Sequence, residues 1–515
     1  MNFEVGKKEN KDAQGSISSA CRDMAAFSLA GCGNTDKQAA NGKAKHLNVG
    51  VYWFGETMDP GHGEDGWMVI RTGAGETLVT VTEKMAFAPQ LAEKWENVNP
   101  TTWKFQIRKG VKFHNGDDMT PELVKASLER TIQNIESAKT AADIKEIRVE
   151  GQDLLIETNH PNASLVAALS APEFIIVDTK DLTNVETTPI LTGPYQVTGF
   201  VKGDRIELKR NENYWDGEAG LDTVTMKNIE DNTKRAMALQ SGELDMIQRV
   251  DAASRSLFEN DSFKIYQTVG TRVFMLTANY DGILSDANLR HALAYSMDYE
   301  ALAQIEGNGA APAGEVFPPT VPYGHVKKKR TLDAAAAQKF FAAAGYTTKN
   351  ADGIYEKDGK PLTLKLAVWG TKTAMYEAIQ SQLKEAGVKV DIVKVKNSAA
   401  AGEAGDFDLV EQNWVTVPTN DPYNFVSKVF VTGKSANRGH YSNPEVDAKI
   451  KEMQMTFDPK LRDVQIGEIA EQVVADDAHL FLAFPANTIV AKTKVKNVPV
   501  FPIDYYVMTK DITVE

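Results

Sequence analysis

Few side chains in this sequence are placed to do chemistry, and each sits in a distinctive setting. Cys32 ends the run Leu29-Ala30-Gly31-Cys32, the pattern of a bacterial lipoprotein cleavage site, where the thiol receives a lipid and becomes the mature N-terminus. The apolar run before it, Met24 to Ala30, is minimal, and Glu4, Glu9, Asp12 and Asp23 make the leading segment acidic. An ordinary thiol in a polar tail is the alternative. His62 lies in Asp59-Pro60-Gly61-His62-Gly63. A histidine between two glycines is a poor core position, which leaves a metal-binding imidazole or a plain loop residue. His440 follows Arg438-Gly439 and precedes Tyr441. The planar fork of Arg438 suits bidentate pairing with a carboxylate, with a surface arginine as the bland reading. No helix carries two histidines at coordinating spacing. Gly-x-Ser-x-Gly, His-Glu-x-x-His and Walker-type patterns are absent from the sequence, and Asp117-Asp118 and Asp476-Asp477 each adjoin a predicted helix whose dipole explains them. An enzyme is not expected.

The elements that must position these residues alternate between strand-like and helical runs. Strands are predicted at Leu47–Trp53, Trp103–Ile107, Leu154–Thr158, Arg205–Lys209 and Thr223–Ile229. Trp103–Arg108, a turn at Lys109-Gly110 and Val111–His114 read as a hairpin. Thr120-Pro121 opens a helix with Val124, Leu128 and Ile132 on one face. Further helices are expected at Asn232–Ser241, closed by Gly242, at Asn288–Tyr299 and at Ala334–Ala344. Leu362–Val368, a helix from Thr373 to Ala386 and Val388–Val395 form a β-α-β pattern, which requires parallel pairing. Ser398–Gly405, all small and polar, reads as an exposed loop. Lys327–Arg330 is a basic run that reads as a docking patch or, more simply, as a solvated loop.

At 515 residues the chain exceeds what one core serves, so two lobes of an α/β protein with mixed sheets are expected. Both cysteines, Cys21 and Cys32, precede residue 46, which excludes disulfides and thiolate metal sites from the folded part. No run of 18 apolar residues spans a membrane. The net charge of -13 argues against nucleic acid as a partner.

Several stretches resemble a known family: Phe87 to Trp95, Trp103 to Gly116, Leu191-Thr192-Gly193-Pro194-Tyr195, Arg210 to Trp215, Ala238 to Asp245 and Tyr441 to Asp447. Together they are similar to the extracytoplasmic solute-binding proteins of ABC importers that take peptides and nickel (solute-binding family 5). Tyr52 to Pro60 with Gly66-Trp67, Met237 to Gly242 and Trp414 to Pro422 resemble nickel-type members. The resemblance implies a class II, large-type periplasmic-binding-protein fold with an extra subdomain and a ligand cleft between lobes. The expected divisions are a signal and tether over 1–45, lobe I over 46–273 with 484–515 returning to it, and lobe II over 274–483.

The implied cargo is nickel carried with a small chelator, such as a histidine complex or a metallophore, and passed to an ABC permease by a monomer held to the membrane only through its lipid. A pocket for such a complex needs an imidazole, aromatic cover and a cation for a free carboxylate. His62 and His440 are the expected metal ligands, Arg438 the carboxylate clamp, and Tyr52, Trp103, Trp414 and Tyr441 the other ligand contacts; for Trp103, which begins a strand, a core position competes. Nickel-type relatives carry an arginine after the helix ending near Asn134, where this chain offers only Lys139. His114 and His479 read as structural. No resident cofactor is expected. The alternative ligand is a di- or oligopeptide, whose amino terminus Asp421 would meet, although Asp421 before Pro422 more simply opens a turn.

Overall fold

The computed structural model describes residues 44–370 and 373–515, so Cys32 and its acylation lie outside the described residues. The first predicted strand forms as His46–Val51 and sits mid-sheet, in parallel register with Thr223–Asn228 on one side and Met246–Gln248 on the other. Arg205–Arg210 and Tyr195–Val201 extend one flank, and Ala486–Lys492 and Phe263–Val269 the other, giving seven strands. Leu47, Val49 and Val51 are buried, as a strand covered on both faces requires.

A second lobe is built on six strands, in the order Ala311–Pro312, His479–Phe484, Arg272–Ala278, Leu409–Val415, Thr363–Trp369 and Lys389–Val395. The β-α-β pattern is realised here. Thr363–Trp369 and Lys389–Val395 run parallel, and the helix Ala374–Ala386 between them ends on Gly387 at a φ of 106°. Residues of Arg272–Ala278 serve two cores, as a period of two dictates. Val273 and Met275 pack with helices Tyr423–Val429, Pro444–Met453 and Pro459–Ala475, whereas Leu276 and Ala278 join helices Ala287–Ala294 and Ala374–Ala386. The extra subdomain is a four-stranded sheet, Ala92–Asn99, Thr102–Ile107, Asp153–Thr158 and Ile144–Glu150 in order, packed on the helix Pro121–Asn134. That helix starts as expected, with Thr120 accepting from the Leu123 N–H.

Three local expectations are corrected. Thr102–Ile107 pairs with Ala92–Asn99 and Asp153–Thr158, not with residues 111–114. Val111 and Phe113 are buried, and their segment closes on itself through Phe113 N–H to Asp117 O (2.8 Å); alternation marks a buried face without naming the partner. The helix expected over Asn288–Tyr299 breaks in two, because Asp298 caps a new helix, Tyr299–Glu306, through the Ala301 N–H. Ser398–Ala404 is a helix rather than a loop: Asn397 caps it through Ala399 and Ala400, Gly405 closes it at φ 66°, and its alanines favour it. Gly193 is needed for closeness, since a Cβ there would stand 2.4 Å from Gly73 O.

The chain passes between sheets at two adjacent points, from Val269 to Arg272 and from Phe484 to Ala486. Gly270 N–H donates to Pro485 O (2.9 Å), which ties the two crossovers together.

Candidate functional site

Strand direction decides which edge of each sheet faces the crossovers. In the seven-stranded sheet, Ala486–Lys492 runs antiparallel to Met246–Gln248 and Phe263–Val269 antiparallel to it in turn. The carboxyl ends of His46–Val51, Thr223–Asn228 and Met246–Gln248 therefore lie at the crossover edge. In the six-stranded sheet, Leu409–Val415 is antiparallel to Arg272–Ala278 and parallel to Thr363–Trp369. Its carboxyl end, with Trp414, meets the crossovers from the other side. Ligands of open α/β sheets bind outside such carboxyl ends. Tyr52, Trp53 and Arg249 from one lobe and Arg272 and Trp414 from the other thus border one cleft.

A charge cluster occupies it. The Asp504 carboxylate pairs with Arg249 (2.7 Å) and lies 3.6 Å from Arg71, and it accepts from the Tyr52 hydroxyl (3.2 Å). Arg71 also donates to the Asp504 carbonyl (3.1 Å) and to the Tyr52 hydroxyl (3.1 Å). The Arg249 guanidinium lies 4.0 Å from the centre of the Tyr52 ring. Arg272 acts on Asp504 from the second lobe while donating to Asn413 Oδ1 (2.8 Å). Burial pushes the Asp504 carboxyl up, but Arg71, Arg249 and Arg272 outweigh it and hold its pKa at about 2. One carboxylate thus faces three guanidiniums. The Arg71 side chain is 3% exposed and that of Arg249 38%, so Arg249 presents the surplus charge to solvent. An arginine fork partly withdrawn from water is a strong receptor for a carboxylate.

The expected site residues divide between this edge and other places. Tyr52 belongs to the cluster. Trp414 is half-buried at the edge, its indole N–H held by Gln412 Oε1 (2.8 Å). Trp103 is only 9% exposed, in the core of the four-stranded sheet, with its indole N–H on Asn162 O (3.0 Å), so the core position prevails over a ligand wall. Arg438, His440 and Tyr441 stand at the opposite edge of the six-stranded sheet, where Tyr280 N–H donates to Gly439 O (2.8 Å). The full strand Arg272–Ala278, about 20 Å long, separates that edge from the crossovers. There His440 pairs with Asp281, the Tyr441 hydroxyl donates to Asp476 (2.7 Å), and Arg438 packs on Gly402 with its Nε buried and unbonded. His62 and His440 therefore do not converge on one metal. His62, with a side chain 60% exposed, bonds Asp65 through Nδ1 (2.8 Å), which leaves Nε2 outward. The Asp421 carboxylate is engaged by Arg462 (2.5 Å) and the Tyr423 N–H (2.8 Å), the turn role. Lys139 pairs with Glu136 on an exposed helix face.

Sequence reading missed Arg71, Arg249, Arg272 and Asp504. They come from four distant segments and share no local motif. The one available signal was position: Arg249 directly follows a short strand, and Arg272 opens another.

Comparison with known proteins bears on this cleft. The family model for bacterial extracellular solute-binding proteins, family 5, matches residues 86–437. The chain is 27% identical to the nickel-binding protein NikA of Staphylococcus aureus over 492 residues, covering 95% of this chain and 97% of that one. A crystal structure of NikA from Staphylococcus aureus in complex with Ni(L-His)2 superposes with a TM-score of 0.75, covering 92% of this chain and all of that one. A crystal structure described as a nickel ABC transporter from Bacillus halodurans gives 30% identity and a TM-score of 0.81, covering 91% of this chain and 100% of that one. The oligopeptide-binding protein AppA of Bacillus subtilis is 25% identical, with 80% of each chain covered.

Proposed function

This chain belongs to family 5 of the bacterial extracellular solute-binding proteins, and from that premise we propose that it captures nickel as a complex with a small carboxylate-bearing chelator and delivers it to an ABC permease. The observation that carries the reading is the surplus of guanidinium charge at the lobe junction, where Arg249 and Arg272 flank Asp504 from opposite lobes. A chelator carboxylate would complete that cluster, with Tyr52 and Trp414 beside it. Among the described residues no group of three or more His, Cys, Asp or Glu could hold a metal ion, which favours a cargo that brings its own ligands. His62 is the protein imidazole proposed to reach the nickel, through Nε2. Its Nδ1 bond to Asp65 is the support that metal-bound histidines commonly have. Closure of the lobes would follow from contacts made with both. Cys32 would tether the protein to the membrane by its lipid. Against the peptide alternative, Asp421, the acid expected to meet a peptide's amino terminus, is engaged by Arg462 and by its own turn.

Calorimetry of the purified protein with nickel alone, nickel plus excess histidine, and a dipeptide pool tests the proposal. Binding is expected only with nickel plus histidine. Arg249→Ala should weaken it roughly 10- to 100-fold, the worth of a charge-assisted hydrogen bond. Binding of peptides, with none of nickel in either form, would overturn the reading.

A further inference from the structure

A carboxylate stands near the start of the helix that carries Arg71. Glu173 lies in the turn Pro172–Phe174, which is fixed on both sides. The Thr131 hydroxyl donates to the Glu173 carbonyl (3.1 Å), and the helix Gly66–Arg71 packs so closely that a Cβ on Gly66 would stand 2.5 Å from Pro172 O. Glu173 is half-buried as a residue, and its carboxylate forms no ion pair among the described residues. Lys428, on the second-lobe helix Tyr423–Val429, is near enough to act on it electrostatically without forming an ion pair. The Trp67 indole N–H, buried and without a formed hydrogen bond, is directed at the same carboxylate.

The helix Gly66–Arg71 joins this carboxylate to the arginine cluster. Trp67 and Arg71 stand four residues apart, so both project from one face, about 6 Å apart along the axis. The Trp67 ring packs edge-on against Tyr505, centroids 4.3 Å apart, and Tyr505 directly follows Asp504. Burial, with the nearby Glu64 adding to it, pushes the Glu173 carboxyl above its ordinary pKa, the condition of a carboxylate that gains from a positive partner. The helix therefore carries a guanidinium at one end and, one helical turn away, stands beside a carboxylate that forms no ion pair among the described residues.

We propose that Glu173 reads an N–H donor of the ligand, a protonated amine or the amine or imidazole N–H of a metal-bound amino acid, and so selects nitrogen-bearing carboxylates over plain polycarboxylates. This rests on the reading of the lobe junction as the ligand site. It makes Glu173 a specificity-determining residue and narrows the chelator to the amino-acid class.

The test is calorimetry on the wild-type protein and on Glu173→Gln and Glu173→Asp, with nickel–histidine, nickel–citrate and a dipeptide pool. Citrate offers carboxylates and no N–H. Wild type should prefer nickel–histidine to nickel–citrate. Glu173→Gln should weaken nickel–histidine about tenfold or more, the worth of a hydrogen bond to a charged group, with nickel–citrate unchanged. Glu173→Asp should restore part of the preference, and unchanged melting temperatures would show that both variants fold. Should the dipeptide pool bind in place of nickel complexes, the proposed cargo fails, and Glu173→Gln must then weaken the dipeptide, whose ammonium is the same kind of donor. Equal affinity of wild type and Glu173→Gln for whichever nitrogen-bearing ligand binds, or equal losses for histidine and citrate complexes, would overturn the inference.

Discussion

His479 offers a measurable link between buried chemistry and the cleft. It is 1% exposed, with its ring between Phe430 and Phe481, and burial drives its pKa down to about 3. Its Nδ1 is 3.0 Å from the Thr277 hydroxyl, which accepts from Gln412 Nε2 (2.6 Å), while Gln412 Oε1 accepts from the Trp414 indole (2.8 Å). Nε2 is buried without a hydrogen-bond partner, so a charged ring would leave an N–H there with no acceptor and the neutral ring is favoured. The folded pKa lies below the unfolded value of about 6.5, so the stability is fully present above pH 6.5 and is lost as pH falls towards 3. Between pH 7.5 and pH 5 the unfolded imidazole gains almost a full proton and the folded one almost none, which costs about 2 kcal/mol. Urea unfolding of wild type and His479→Asn at pH 7.5, 6 and 5 isolates this group. The variant should start less stable yet lose about 2 kcal/mol less over that range. Parallel losses in the two proteins would refute the burial argument.

Two further outcomes follow from local geometry. The hydrogen bond from His62 to Asp65 raises the imidazole pKa, against a smaller opposing effect of burial, so an NMR titration of His62 should show a midpoint above about 6.5 that falls in Asp65→Asn; because nickel takes the neutral ring, binding through His62 should fade as pH drops through that midpoint and persist to lower pH in the variant. Gly193→Ala places a Cβ 2.4 Å from Gly73 O and 2.5 Å from Ala74 O, and should cost about 1–3 kcal/mol in urea unfolding, with no cost at all refuting the close-approach argument.

What the sequence made legible was local. Thr120 capping through the Leu123 N–H (3.4 Å) and Gly242 at φ 90° are covalently close decisions, and both were readable. The Ser398–Ala404 helix was misread because its small side chains masked an Asn397 cap and a run of good helix formers. Val111 and Phe113 show the next limit, since a pattern fixes which face is buried but not which strand lies beside it. The candidate site lay further out of reach. Arg71 and Asp504 are 433 residues apart and meet only once the C-terminal tail returns to the first lobe. The arginine placed by resemblance, Arg438, is one strand's length from the charge that the fold assembles.

That displacement changes what the aromatic residues do. Arg71, Arg249 and Asp504 lie with the seven-stranded sheet, whereas Arg272 opens a strand of the other, so bringing the lobes together concentrates like charge unless an anion is present. Ligand charge and closure are then one equilibrium, and an anionic group stabilises the closed form by offsetting a repulsion that the empty closed form must bear. Trp103 enters this balance from elsewhere. Its ring meets Phe457, centroids 6.0 Å apart, and beside it Ala163 N–H donates to Gln454 O (2.9 Å) and Arg462 to Ser164 Oγ (3.1 Å). These contacts join the four-stranded subdomain to the second-lobe helices Pro444–Met453 and Pro459–Ala475 and the segment between them. They favour closure whatever the ligand, and under the proposed reading selectivity belongs to the charged poles around Asp504 and Glu173. Trp103 and Trp414 look equivalent in the sequence, yet one holds the lobes together and the other borders the cleft.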